Sequence, residues 1–334
     1  MSKLNHLHCP VCNKINLKQL NYINQPDYGD QVIDFSAFKI KYCEDCGFGY
    51  SIPDVGDELL DRFYTYFYRT NKNPHFINFN KLRIPKTSEC KAAVEHILLA
   101  RTYTQFEKGD KFLDIGPGPG WHFQALKTLM DEPTLYAIEH SEGSANAYKR
   151  NYGVETFSEI KILQDKLGQD KLKCIFASHS IEHMKFNALN ELLGNIKEVL
   201  LDDGLLVIEV PHSDMRLHYD RSGDAPHLLF FSIESLKKLL IDSGFEVIFI
   251  NTSGAKSSHE FNSSALLNSQ VSPIVVLYRI LFPMRFRKSN LKNKIKSLLL
   301  YWLGSSNKIK FSQLKVDYGG DRQNLRAIAM KKST

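Results

Sequence analysis

Phe112–Trp121, FLDIGPGPGW, is an apolar run that ends in an acid and then sets three glycines on alternate positions. It reads as a buried strand, a tight turn and the start of a helix. Gly116, Gly118 and Gly120 accept backbone angles that a side chain forbids, so the turn can bring main chain close to a ligand. Such a turn builds a cofactor site. A dinucleotide fingerprint requires G-x-G-x-x-G, whose third glycine packs the helix beside a pyrophosphate. Trp121 stands at that third position here, and Asp114 at the strand's end suits a cation better than a pyrophosphate.

Outward from the turn, Trp121–Met130 reads as a helix and Thr134–Ile138 as a second strand that ends in Glu139. Parallel strands joined by one helix open their C-terminal ends onto a shared crevice. Glu139 is therefore expected to face the same ligand as the glycines, where a carboxylate can accept hydrogen bonds from both hydroxyls of a ribose. The third unit, near Val154–Phe157, carries no Asp to mark an adenine contact. Cys174–Ser180 reads as the fourth strand, Gly194–Leu201 as a helix, Asp202–Gly204 as a turn and Leu205–Val210 as the fifth strand. Asp214–Leu229 reads as a loop over the site. Ser232–Ser243 is an amphipathic helix capped by Ser232 with Ser235 three places on, and strands follow at Phe245–Ile250 and Asn324–Lys331. Upstream, Lys86–Phe106 reads as a helix with Ala92, Ala93, His96, Ile97 and Ala100 on one face.

Four of the six cysteines form two pairs, Cys9-x-x-Cys12 and Cys43-x-x-Cys46. Two such knuckles can close a tetrahedral thiolate site around a structural Zn²⁺. The residues between them are expected to form a small sheet with strands at Gln31–Phe35 and Phe38–Tyr42. Asp57–Lys81 is rich in aromatics, among them Phe63, Tyr64, Tyr66, Phe67 and Tyr68. These either stack on a substrate ring or pack helices between domains.

The chain has 334 residues, 43% of them hydrophobic and 24% charged, the composition of an ordinary globular protein. Its N-terminus, MSKLNHLH, is polar and lacks the apolar core of a signal peptide. The apolar stretch at Ile274–Met284 is interrupted by Arg279 and Pro283 and is too short for a membrane span. A cytoplasmic location is expected. The net charge of +6 is concentrated in 261–316, which holds ten Lys or Arg and no acid. Within it Leu291, Ile295, Leu298 and Trp302 share one helical face, with Lys292, Lys294 and Lys296 away from it. Such a helix can lie on an anionic membrane surface, steer an anionic substrate, or pack as an internal lid. The first role makes 274–303 a contact for peripheral attachment; nucleic acid is not the expected partner.

An acid followed by G-x-G-x-G, here Asp114 with Gly116, Gly118 and Gly120, resembles the first motif of the class I S-adenosylmethionine-dependent methyltransferases. Ser178–His183, SHSIEH, resembles the segment after their fourth strand on the methyl-donor side, and Pro226–Ile248 is similar to the same family. The knuckle at Cys43 followed by the tyrosine-rich stretch resembles zinc-headed methyltransferases that act on sugars. The resemblance implies S-adenosylmethionine as cofactor, held by Asp114, Gly116, Gly118, Gly120, Glu139 and Ser180. It also implies a small-molecule acceptor, carbohydrate by preference. On the loop after the fifth strand it points to His227 and Tyr219 as acid–base residues, with His183 as a third candidate. Methyl transfer from this donor needs no metal, and a zinc whose four positions are all protein ligands is closed and structural. An RNA or lipid-linked acceptor, or a non-catalytic cofactor-binding scaffold, are the alternatives.

The expected fold is α/β, a Rossmann-like doubly wound sheet whose last strand is antiparallel, with an N-terminal zinc knuckle and a late helical insertion. The divisions are 1–55 for the zinc knuckle, 56–105 for an aromatic-rich helical connector and 106–251 for the core. A basic insertion at 252–321 and the last strand at 322–334 complete the chain.

Overall fold

The computed structural model describes residues 7–21, 38–64, 84, 90–217, 226–253, 259–260, 315–316 and 323–332. The expected strand at 31–35, most of the aromatic stretch, Tyr219 and the basic stretch 274–303 lie outside the described residues. No helix among the described residues is long and apolar enough to cross a membrane.

The N-terminal part contributes β1 (Leu17–Asn21), β2 (Lys39–Cys43), β3 (Gly49–Ile52) and α1 (Asp57–Arg62). Next come α2 (Lys91–Ala100), β4 (Lys111–Ile115), α3 (Trp121–Leu129), β5 (Thr134–Ile138), α4 (Glu142–Tyr152), β6 (Glu155–Phe157), α5 (Ile160–Leu167) and β7 (Leu172–Ser178). A 3₁₀ turn at Ile181–His183 leads to α6 (Phe186–Val199), β8 (Leu200–Pro211), β9 (Leu229–Phe230), α7 (Ile233–Asp242) and β10 (Phe245–Ser253). Two short strands, β11 (His259–Glu260) and β12 (Lys315–Val316), pair with each other before β13 (Asn324–Lys331).

Seven strands form the main sheet in the order β10-β13-β8-β7-β4-β5-β6. The five from β8 to β6 are parallel, and β13 is antiparallel to both of its neighbours. The order reverses at β4, where sheets of this kind bind ligands beyond the strand ends. Alternation along each strand divides the core into two layers. Leu113, Ile115, Ile175, Ile208 and Ala327 face α5, α6 and α7. Phe112, Phe176, Val207 and Ile328 face α2, α3 and α4.

A second sheet, in the order β1-β2-β3-β9, is antiparallel throughout. Its last strand comes from residues 229–230, so it draws on distant parts of the chain. Phe48 lies 5.6 Å, ring to ring, from both Phe186 of α6 and Phe231, and one apolar core runs from Cys9 and Phe48 through to Leu325.

Several local expectations need correction. The helix expected over 86–106 is α2 at Lys91–Ala100, and the one expected from Gly194 begins at Phe186, since Phe186, Leu189 and Leu193 already fall on its buried face. Asp202–Gly204 is not a turn but part of β8, where the register shifts opposite Leu172/Cys174. Asp214–Leu229 is not only a loop, because its end enters β9. Ser232 does cap α7, its side chain accepting from Ser235 N at 3.0 Å while Ser235 Oγ accepts from Ser232 N at 2.9 Å.

Candidate functional site

Beyond the C-terminal ends of β4, β5 and β7 lies a cleft of about 650 Å³, lined among others by Tyr64, Gly116, Gly118, Glu139, His179, Ser180 and His183. The turn after β4 holds its three glycines at φ +66, +53 and +78, a left-handed region costly for other residues. A Cβ on Gly118 would meet no atom within 4 Å, so that position opens onto free space. Tyr148 of α4 donates to Gly118 O at 2.6 Å and fixes the turn from below. Gly120 instead caps α3, where a Cβ would stand 3.0 Å from Tyr152.

Glu139 follows β5 at the cleft wall. Its backbone N donates to Phe157 O at 3.0 Å, and its Oε1 accepts from Ser141 N at 2.8 Å at the start of α4. These bonds hold the carboxylate at the cleft. Ser180, across from Gly116, has a buried Oγ with no hydrogen-bond partner.

Asp114 does not line the cleft. It shares a face of β4 with Phe112, so strand alternation turns it toward α2 and α3, where it is 2% exposed. There it starts a buried chain of polar contacts that sequence reading missed. Asp114 Oδ2 lies 2.9 Å from His122 Nδ1, His122 Nε2 lies 3.0 Å from His96 Nδ1, and His96 Nε2 lies 3.0 Å from Glu209 Oε2. Arg326 of β13 donates to the same Glu209 oxygen from Nε at 2.8 Å and from Nη2 at 2.5 Å. Burial drives His96 down to about 4, against the opposing pull of Glu209. Burial would raise Glu209, but His96 and Arg326 outweigh it and hold that carboxyl well below the usual range. The signal in the sequence was a lone polar residue at a core-facing position: His96 on an apolar helix face, Glu209 in VIEV and Arg326 in LRAIA.

One wall of the cleft is built by the 3₁₀ turn after β7. His179 adopts φ +51, uncommon for a non-glycine residue, and its N donates to Glu209 O at 2.8 Å. Glu182 is 1% exposed. His183 lies with its ring 4.8 Å from that of His227, and Leu228 N donates to Glu182 O at 2.8 Å, fastening the 226–228 segment to the turn. Glu182 thus lies buried behind the cleft-lining His179 and His183, in a place the sequence reading left unassigned. His212, by contrast, is buried away from the cleft, where its N donates to Gln323 O at 2.8 Å.

The four cysteines converge at the edge of the second sheet. Cys9 Sγ and Cys46 Sγ are 3.6 Å apart, Cys12 Sγ and Cys43 Sγ are 3.5 Å apart, and all four sulfurs lie within 4.8 Å of one another. A tetrahedral ion with Zn–S bonds of ~2.3 Å places its sulfurs roughly 3.8 Å apart. The cluster is thus able to hold a metal ion, with all four positions filled by protein.

Residues 88–249 match the family model described as a methyltransferase domain. No curated protein matches the chain. Among solved structures, a SAM-dependent methyltransferase from Archaeoglobus fulgidus is 19% identical with a TM-score of 0.43, covering 78% of this chain and 100% of its own. The cyclopropane synthase MmaA2 from Mycobacterium tuberculosis is 12% identical with a TM-score of 0.41, covering 71% and 83%. YcgJ protein from Bacillus subtilis is 12% identical with a TM-score of 0.40, covering 73% and 99%. None of these likenesses bears on a substrate. The main sheet, with its antiparallel β13 between β8 and β10, is that of a class I methyltransferase fold.

Proposed function

We propose that the protein transfers a methyl group from S-adenosylmethionine to a small polar acceptor, with a nucleotide-linked or glycan sugar as the favoured class. The observation that carries this reading is the joint exposure of the Gly116–Gly118 turn and Glu139 in one cleft at the switch point of the sheet. The match of residues 88–249 to a methyltransferase domain supports it. When bound, the cofactor supplies a methyl group already activated on a sulfonium.

The chain's own residues bind, orient and handle one proton. Gly118 leaves room for ligand against the main chain, and Glu139 accepts from the ribose hydroxyls. Asp114 acts from behind the turn, holding α3 through His122. Holding donor and acceptor in line can supply roughly 7–11 kcal/mol of the barrier. The acceptor's proton leaves on the side of His183 and His227, and acid–base assistance to such a step typically contributes about 10²- to 10⁴-fold. We assign Zn²⁺ to Cys9, Cys12, Cys43 and Cys46, where it holds the second sheet and takes no part in a step.

Two substitutions separate binding from turnover. Glu139→Ala is expected to weaken binding of S-adenosylhomocysteine by about 10-fold or more, since a hydrogen bond to a charged group contributes about 1.5–3 kcal/mol. Unchanged affinity in calorimetry would remove Glu139 from the site. His227→Ala is expected to keep cofactor affinity and lose turnover by about 10²-fold or more, read as S-adenosylhomocysteine release with nucleotide sugars. Full turnover would show that His227 is dispensable.

A further inference from the structure

The acceptor side of the cleft carries a buried acid faced by histidines. Glu182 is 1% exposed, and neither of its carboxylate oxygens accepts a hydrogen bond. The nitrogens facing Oε1 are His179 Nδ1 at 3.5 Å and His183 Nε2 at 3.8 Å, both beyond hydrogen-bond length. A carboxylate taken out of water costs several kcal/mol unless it is paired, and the histidines around Glu182 offset that cost while leaving acceptor positions of the carboxylate open.

Glu182, His183 and His227 each direct one donor atom into a common space, the three atoms lying within 4.8 Å of one another. Bonds of ~2.1 Å to a metal place neighbouring donors about 3.0–3.4 Å apart, so side-chain rotations of roughly 1 Å close the set. One carboxylate and two imidazoles suit a divalent first-row ion of intermediate softness, and three protein donors leave coordination positions open. His183 lines the cleft beside Ser180 and His179, so the open side meets the acceptor space.

We propose that Glu182, His183 and His227 form a second metal site, distinct from the cysteine cluster, which binds a divalent transition-metal ion and presents it to a hydroxyl acceptor. Its role, though not its occupancy, rests on the methyl-transfer reading. The ion holds the acceptor oxygen and lowers its pKa, so that the O–H proton passes to water at the cleft mouth. The oxygen then forms the O–CH₃ bond as the S–CH₃ bond breaks, and the sulfonium leaves as a neutral thioether. In this arrangement His183 and His227 act as ligands rather than as bases, and the product is an O-methyl rather than a C-methyl compound.

The test is a titration of the full chain, zinc-loaded at its cysteines, with Co²⁺, followed by visible absorption and metal analysis. One equivalent of Co²⁺ is expected to bind with weak d–d bands and no thiolate charge-transfer band. His183→Gln and His227→Gln are each expected to weaken that binding by about 10-fold or more while their melting temperatures stay at the parent value. Glu182→Gln should do the same, and should it fail to fold, the two histidine variants decide the question. The proposal is overturned if folded, zinc-loaded protein takes up no Co²⁺, if the variants bind it as the parent does, or if thiolate bands show that it has entered the cysteine cluster. S-adenosylhomocysteine titrated in parallel keeps the two readings apart. Its binding without Co²⁺ uptake sinks the second metal alone, and Co²⁺ uptake without its binding sinks methyl transfer alone.

Discussion

Removing the metal from the cysteine cluster, by chelation or by Cys43→Ser, is expected to unfold the β1-β2-β3-β9 sheet and to lower the melting temperature of the whole chain. The reason lies in where the cysteines sit, at the edge of the sheet and in the core that Phe48 and Tyr50 share with the main sheet. On its other face the sheet has only a small apolar cluster, built on Ile40, Tyr42, Met215 and Phe230. Structural zinc supplies an apparent free energy of ~10–16 kcal/mol in small zinc-dependent folds, comparable with the ~5–15 kcal/mol total stability of a typical domain. The damage should not stop at residue 52. Cys46 O accepts from Ser232 Oγ at 2.5 Å, and Ser51 N donates to Leu228 O at 2.9 Å, on the same residue whose N fastens Glu182. Amide exchange over residues 39–52 and 228–232 should therefore accelerate together, ahead of β4 and β7. A metal-free chain that melts and exchanges like the parent would refute the assignment of a structural zinc.

Arg326→Met is expected to be the most damaging single substitution within the main sheet, costing about 3–5 kcal/mol. Arg326 and Glu209 are both 2% exposed, and Glu95 adds a second carboxyl 3.6 Å from the same guanidinium. Without Arg326, Glu209 keeps His96, the weak contact of His179 and a long hydrogen bond from Ser253 Oγ at 3.5 Å against its burial. Because the folded-state pKa of Glu209 is depressed, its pairing stabilises the protein above the unfolded value and that contribution is lost as pH falls through the folded one. The difference between parent and variant should thus shrink as pH drops below about 4.5. Adding Glu209→Gln to Arg326→Met should recover part of the loss at neutral pH, as a double-mutant cycle would measure. Urea denaturation showing a change below about 1 kcal/mol for Arg326→Met would mean that the pair is solvated after all.

What could be read from sequence, and what could not, divides along physical lines. Short, mostly apolar runs announced β5 and β13 with their bounds and β4 to within a residue, because burial on both faces favours apolar residues. The cap at Ser232 is a local bond between near neighbours and was equally plain. Long-range pairing leaves no such mark. The pairing of β9 with β3 joins residues far apart in the chain through only two positions, and nothing in Leu229–Phe230 itself specifies a strand. Motif spacing marks Asp114 as the end of a strand but does not say which face it takes, here the one toward His122. The contacts among Glu209, His96 and Arg326 depend on three elements meeting, so each residue alone resembled an isolated exception. Of the Glu182 cluster only the histidines drew attention, since a single glutamate between an isoleucine and a histidine does not advertise its burial.

Everything proposed for turnover depends on the cleft at Gly116–Gly118 and Glu139 taking S-adenosylmethionine. Calorimetric titration of zinc-loaded protein with S-adenosylhomocysteine, with NAD as control, tests it most directly. Saturable one-to-one binding of S-adenosylhomocysteine, abolished or weakened by Glu139→Ala, and no binding of NAD are the predicted results. Folded protein that ignores S-adenosylhomocysteine, or that binds NAD in its place, would contradict the account.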